Sequence, residues 1–152
     1  MEVEFLILSR YAEADSQNNT LNLMGAGVPG IQAIDFPTVQ SFIFAATRLR
    51  FDAAECGSSV RMQVVVRNDR DETIHEAMDA RLEIALPTPP NCYKVMQVIV
   101  ILANVIYPEP GYYRVVLLIE GEPAKSTIFK VEQIERPPNE DVLPGNVAGG
   151  ET

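Results

Sequence analysis

The sequence has little of the side-chain chemistry on which most enzymes depend. It contains one histidine, His75, and two cysteines, Cys56 and Cys92, among its 152 residues. A single histidine supplies neither a histidine-rich metal site nor a spare partner for a histidine-bearing triad. A Cys92 nucleophile would need His75 beside it by accident of folding. We therefore expect that the chain is not an enzyme and carries no cofactor.

Positive charge is also scarce. Twelve lysines and arginines stand against 21 aspartates and glutamates, which gives a formal net charge of -9. Neutralising the phosphates of a nucleic acid requires a basic surface, and an acidic protein is repelled by anionic membranes as well. We expect no nucleic-acid partner.

The sequence contains no apolar run long enough for a membrane-spanning helix. The most apolar stretch, residues 95–106, is too short and includes Gln97 and Asn104, so it predicts a buried strand and no membrane span. The first residues are acidic where a secretory signal would be basic, which favours a cytoplasmic protein. In that reducing compartment the two cysteines are expected to be free thiols, although the sequence does not say whether Cys56 and Cys92 meet.

Alternation of apolar and polar residues is what the sequence does have. Val60, Met62, Val64 and Val66 alternate with polar residues, which is typical of a strand with one buried face. About eight or nine such segments, separated by prolines and glycines, predict an all-β fold. The expected architecture is a two-sheet antiparallel β-sandwich of Ig-like or C2-like type. It occupies residues 1–134, and residues 135–152 form an acidic, Pro- and Gly-rich flexible tail.

Two local predictions refine this fold. Helix formers before Leu82 leave open one short helix within 71–80, but Leu82, Ile84 and Leu86 alternate, which favours a strand from about Ala80. Tyr113 follows a Pro-Gly turn and is expected to tie its strand to a neighbouring connection.

Three groups of residues are candidate sites. Arg48 and Arg50 share one strand face, and Arg61 and Arg67 lie on the outward face of the next strand. If these two strands are antiparallel neighbours, the four guanidinium groups meet and bind an anion such as phosphate or a nucleotide. The loop residues Asp69, Asp71 and Glu72 are weak candidate calcium ligands, because hard cations favour clustered carboxylates. The pattern Gly25-x-Gly27-x-x-Gly30 matches a dinucleotide fingerprint, but Pro37 follows too soon for the helix that such a site requires.

Blocks of the sequence also resemble a known family. They are residues 3–13, 21–27, 48–51, 111–115 and 129–131. They resemble a family of small bacterial proteins of unknown function. The resemblance implies a cytoplasmic bacterial protein with a β-sandwich-like fold, and it supplies no activity or site residues.

The apolar run at 95–106 also bears on function. Both of its faces are apolar, whereas a sandwich strand normally exposes one face to water, so something must cover the second face. A second copy of the protein is the simplest cover, and a helix or the tail is the alternative. We expect a non-enzymatic binding or scaffolding module that acts through protein–protein contacts as a homodimer. The alternatives are a sensor of a small anionic ligand on the arginine face and a calcium-dependent β-sandwich module.

Overall fold

The computed structural model describes residues 1–89 and 92–138, and in this part of the chain every regular element is a β-strand. The all-β prediction is confirmed. The nine strands are β1 (Glu2–Asp15), β2 (Thr20–Ala26), β3 (Gly30–Ala33), β4 (Thr38–Asp52), β5 (Ser59–Arg67), β6 (Thr73–Glu83), β7 (Tyr93–Tyr107), β8 (Gly111–Ile119) and β9 (Glu122–Gln133).

The strands form two sheets. The four-stranded sheet has the order β2-β1-β4-β7, and the five-stranded sheet has the order β3-β9-β8-β5-β6. All neighbours are antiparallel except β3 and β9, which are parallel from the Gly30–Lys130 pair to the Ala33–Gln133 pair. The prediction of purely antiparallel sheets is therefore wrong at this edge. A parallel pair requires a long connection, and here residues 34–121 separate the two strands.

Both sheets contribute to one hydrophobic core. Leu49 and Phe51 reach it from β4, Met62 and Val66 from β5, and all four side chains are almost fully buried. At one end Tyr107 packs edge-to-face on Tyr113, with ring centroids 5.0 Å apart. The period-two pattern thus places alternate residues inside and leaves the residues between them on the outer faces.

Two local predictions are corrected by the pairing. Strand β6 begins at Thr73 and pairs with β5 from Thr73 opposite Arg67 to Glu83 opposite Ser59, so the possible short helix within 71–80 is absent. Cross-strand pairing outweighs the helix propensity of this segment. Strands β4 and β5 are not neighbours either, because the turn after Asp52 carries the chain from one sheet to the other.

The last described strand, β9, ends at Gln133. The amide of Ile134 donates to the carbonyl of Ala33 at 2.9 Å, and no strand is assigned to 134–138. Residues 139–152, most of the predicted tail, lie outside the described residues, so the tail stays a prediction. Among the residues that are described, no helix has the length and apolarity needed to cross a membrane.

Candidate functional site

An apolar patch lies on the outer side of the four-stranded sheet. We define the exposed apolar patch as Tyr11, Met24, Phe42, Phe44 and Ile101. Met24 is 67% exposed, Phe42 54% and Ile101 52%, which is unusual for side chains of this size. Contiguous exposed apolar surface often marks a contact with another molecule.

The sheet register brings these five residues together. Tyr11 lies opposite Met24 in the β1–β2 pair, and Phe44 lies opposite Ile101 in the β4–β7 pair. The ring of Phe44 makes edge contacts with both Tyr11 and Phe42, each at a centroid distance of 5.7 Å. Side chains directly opposite each other share a face of the sheet, so the patch crosses all four strands.

The chain covers part of this outer face itself. The side-chain amide of Gln97 on β7 donates to the carbonyl of Asn19, which stands in the turn between β1 and β2. Since β4 separates β1 from β7 in the sheet, this contact shows that the β1–β2 hairpin bends over the outer face. The predicted need for a cover is thus met in part by the protein's own hairpin, and Phe42 and Ile101 remain exposed beyond it.

The four predicted anion-binding arginines do not meet. Arg48 and Arg50 lie on β4 and Arg61 and Arg67 on β5, so they occupy different sheets. Since Leu49 and Met62 point into the shared core, their arginine neighbours point away from it on opposite sides of the molecule. The predicted four-arginine surface is therefore wrong.

All four arginines have carboxylate partners, and that of Arg67 is Asp71, at 3.6 Å. The closest ion pairs of the other three join Arg48 Nε to Glu4 at 2.6 Å, Arg50 to Glu2, and Arg61 to Asp79. Arg61 donates from Nε and Nη2 to the two oxygens of Asp79, at 2.9 and 2.7 Å, and these hydrogen bonds lower the pKa of the Asp79 carboxyl. Ordinary surface ion pairs therefore account for most of the arginines on the outer faces.

The acidic loop makes contacts of the same kind. Asp71 lies 2.7 Å from Arg114, and Glu72 accepts a hydrogen bond from the Asn68 side chain at 2.8 Å. Within residues 1–89 and 92–138, no group of three or more histidine, cysteine, aspartate or glutamate side chains is placed to hold a metal ion. The structure therefore gives no support to a calcium site at Asp69, Asp71 and Glu72.

The glycine pattern at 25–30 belongs to a bend between strands. Gly25 lies near the end of β2, and Gly30 begins β3, where a helix would be required for a dinucleotide site. A Cβ atom on Gly30 would lie 2.5 Å from the carbonyl oxygen of Lys130, so close approach of β3 to β9 explains the glycine at this position.

The two cysteines are free thiols, as expected. Cys56 is partly buried, and its sulfur lies 3.4 Å from the carbonyl oxygen of Asp52. Cys92 is exposed. Neither forms a disulfide, which answers the question that the sequence left open.

The sequence pattern did not single out the exposed apolar patch. The predictions concerned the apolar face of residues 95–106, which includes Ile101, but Tyr11, Met24 and Phe42 were not expected to join it. The only feature of the sequence that pointed to these three residues is that their strands carry apolar residues on both faces. The register that gathers them depends on pairing between distant segments, which alternation does not encode.

Comparison with known proteins identifies the family. The model of a Family of unknown function (DUF6941) matches residues 4–132. The chain belongs to this family. The resemblance to an uncharacterised family is thereby confirmed, and membership in DUF6941 assigns no activity. No curated protein matches the chain.

A solved structure also matches this DUF6941 protein. It is "Pseudomonas fluorescens alkylpurine DNA glycosylase AlkC bound to DNA containing an abasic site analog", with 12% sequence identity and a TM-score of 0.41. The match covers 67% of this chain and only 27% of the glycosylase chain. Because the matching structure is an enzyme, the prediction that this chain is not an enzyme is contradicted and is withdrawn. A structural match with such a low identity and TM-score also does not show that the chain is an enzyme.

Proposed function

We propose that this DUF6941 protein is a binding or scaffolding module that acts through protein–protein contacts and forms a homodimer through the exposed apolar patch. The exposure of Phe42 and Ile101 is the observation that carries the proposal, because each leaves about half of a large apolar side chain in water. Covering such surface is favourable by about 25 cal/mol per Å².

The charge of the chain favours a second copy as the cover. None of the five patch residues is charged, whereas the protein as a whole has a net charge of -9. Two copies that meet through the patch keep their acidic surfaces out of the interface centre, where charged residues are usually depleted. The ion pairs of Arg48 with Glu4 and of Arg50 with Glu2 lie on the same outer face and provide both signs of charge for a polar rim.

The proposal includes the finer description of the fold. The main hydrophobic core, which both sheets share, supports a β-sandwich, with the outer face of the four-stranded sheet available for contacts. An Ig-like or C2-like type and a cytoplasmic bacterial location remain predictions.

The test is the mass of the protein in solution. Light scattering after size exclusion should give twice the chain mass of 16.8 kDa for the wild type. Phe42→Asp and Ile101→Asp should each give the monomer mass, since a carboxylate in an apolar interface centre costs several kcal/mol unless it is paired.

Ile128→Asp provides a matched control. Ile128 is 62% exposed on β9 of the other sheet, so the same change in chemistry occurs away from the patch. This variant should keep the dimer mass. A monomeric wild type at high micromolar concentration would contradict the proposed dimer, and so would dissociation by Ile128→Asp alone.

A further inference from the structure

A small basic cavity lies on the outer face of the five-stranded sheet. It has a volume of about 300 Å³ and opens to solvent between β5, β8 and β9. Val116, which is only 4% exposed, lies at its base. The other lining residues are Arg67, Asp71, Arg114, Pro123, Ala124, Lys125 and Ser126.

The charges around this cavity oppose those of the protein as a whole. Arg67 and Arg114 contribute two positive charges and Asp71 one negative charge, so these three side chains carry a formal charge of +1 in a chain of -9. Lys125 also borders the cavity, but it lies opposite the core residue Leu117 in the β8–β9 pair and is not counted. A concave site lined by one sign of charge concentrates ligands of the opposite sign. The cavity is therefore suited to an anion.

The pairing of β5 with β8 creates this concentration of charge. Arg67 lies directly opposite Arg114 in the register. Like charges at opposed positions destabilise a sheet unless a counter-charge is present. Asp71 supplies one: its Oδ1 lies 2.7 Å from Arg114 Nη2 and 3.6 Å from Arg67 Nη1. Asp71 Oδ1 thus lies at a position where one anionic oxygen contacts both guanidinium groups.

Most of the N–H donors of Arg67 and Arg114 are not used by contacts within the protein. Each guanidinium carries about five N–H donors in a fixed fork. Beyond Asp71, Arg67 donates from Nε to the Thr73 hydroxyl at 3.4 Å. Two partly used guanidinium forks and the Ser126 hydroxyl, which lies opposite Val116, therefore border the cavity.

We propose that this cavity binds a dianionic phosphoryl group, either inorganic phosphate or a small phosphate ester. A dianion offers a charged acceptor to each of the two guanidinium groups, and arginine forks match the geometry of phosphate oxygens. The described lining contains no aromatic side chain on which a nucleotide base would stack, so recognition centres on the phosphoryl group. This site is independent of the proposed dimer interface, which lies on the other sheet.

Calorimetric titration of inorganic phosphate into the full chain tests this proposal. The buffer has low ionic strength, to limit screening, and a pH at which phosphate is mainly dianionic. We expect saturable binding at one site per chain and weaker binding of acetate. Arg114→Gln and Arg67→Gln should each weaken phosphate binding about tenfold, since each removes a charged hydrogen-bond donor.

Two further variants separate binding from folding. Asp71→Asn keeps a side-chain acceptor and tolerates the left-handed backbone at this residue (φ 63°), but it removes the competing charge. It should strengthen phosphate binding about fivefold, a gain that structural damage would not produce. Arg61→Gln is the control, because Arg61 lies on the same strand as Arg67 but is held by Asp79.

The outcomes that overturn the proposal are distinct. One is the absence of saturable phosphate binding to the wild type. The others are an equal loss in Arg61→Gln and Arg114→Gln, which would indicate a diffuse charge effect, and binding of acetate as tight as that of phosphate. A far-ultraviolet spectrum of each variant checks that it is folded.

Discussion

Replacing Tyr113 by phenylalanine should remove one hydrogen bond that holds the turn before β8. The Tyr113 hydroxyl donates to the carbonyl of Glu109 at 2.7 Å, and the side chain is only 2% exposed. Phenylalanine keeps the ring and its contacts with Tyr107 and Phe129, at centroid distances of 5.0 and 6.1 Å. The change therefore isolates the hydroxyl group.

The expected loss of unfolding free energy is about 1 kcal/mol, the usual net value of one neutral hydrogen bond. For a chain of this length it corresponds to a fall in melting temperature of about 2–5 °C. Urea unfolding of wild type and variant at one protein concentration measures the difference, and the slope of the free energy with urea should not change.

Tyr112→Phe is the matched control, because the neighbouring tyrosine is 58% exposed. Its effect should stay within about 0.5 kcal/mol. Equal stability changes for Tyr112→Phe and Tyr113→Phe would refute the assigned role of the Tyr113 hydroxyl. A loss above about 3 kcal/mol for Tyr113→Phe would show that the ring packing had changed as well.

Two further predictions concern the edge pairing and the core. Gly30→Ala should lower the free energy of unfolding by about 1–3 kcal/mol, because the added Cβ would lie 2.5 Å from the Lys130 carbonyl oxygen. Urea unfolding measures this loss. The control is Gln32→Ala on the same strand, which should lower the free energy of unfolding by less than about 0.5 kcal/mol. Burial raises the pKa of Tyr107 above its ordinary value of 10.0, so above about pH 10 the unfolded chain loses a proton that the folded chain retains. Wild-type stability should therefore fall more steeply with rising pH than that of Tyr107→Phe, and parallel curves would contradict this.

Much of the local structure was predictable from alternation. The strand at 58–67, the strand through 95–106 and the role of Tyr113 all appear in the structure as expected. In each case the information is local, because a residue's side of a strand depends only on its position in the period. Residues 73–80 are the exception, since partner strands and not local propensity made them a strand.

The candidate sites show the limit of such reasoning. The sequence identified Arg67 but grouped it with Arg48 and Arg50, on the assumption that consecutive strands pair. In the structure its neighbour is Arg114, which lies far along the chain on β8. Consecutive strands are often neighbours, but a short connection can equally carry the chain to the other sheet.

The sequence by itself determined the fold class, the alternate burial along each strand and the acidic character of the surface. Each depends on residue type and on spacing over a few positions. Only the tertiary structure decided which strands are neighbours, and hence that Phe42 shares a face with Tyr11 and that Arg67 faces Arg114. The physical reason is that pairing between distant strands is set by the packing of a common core, to which every segment contributes at once.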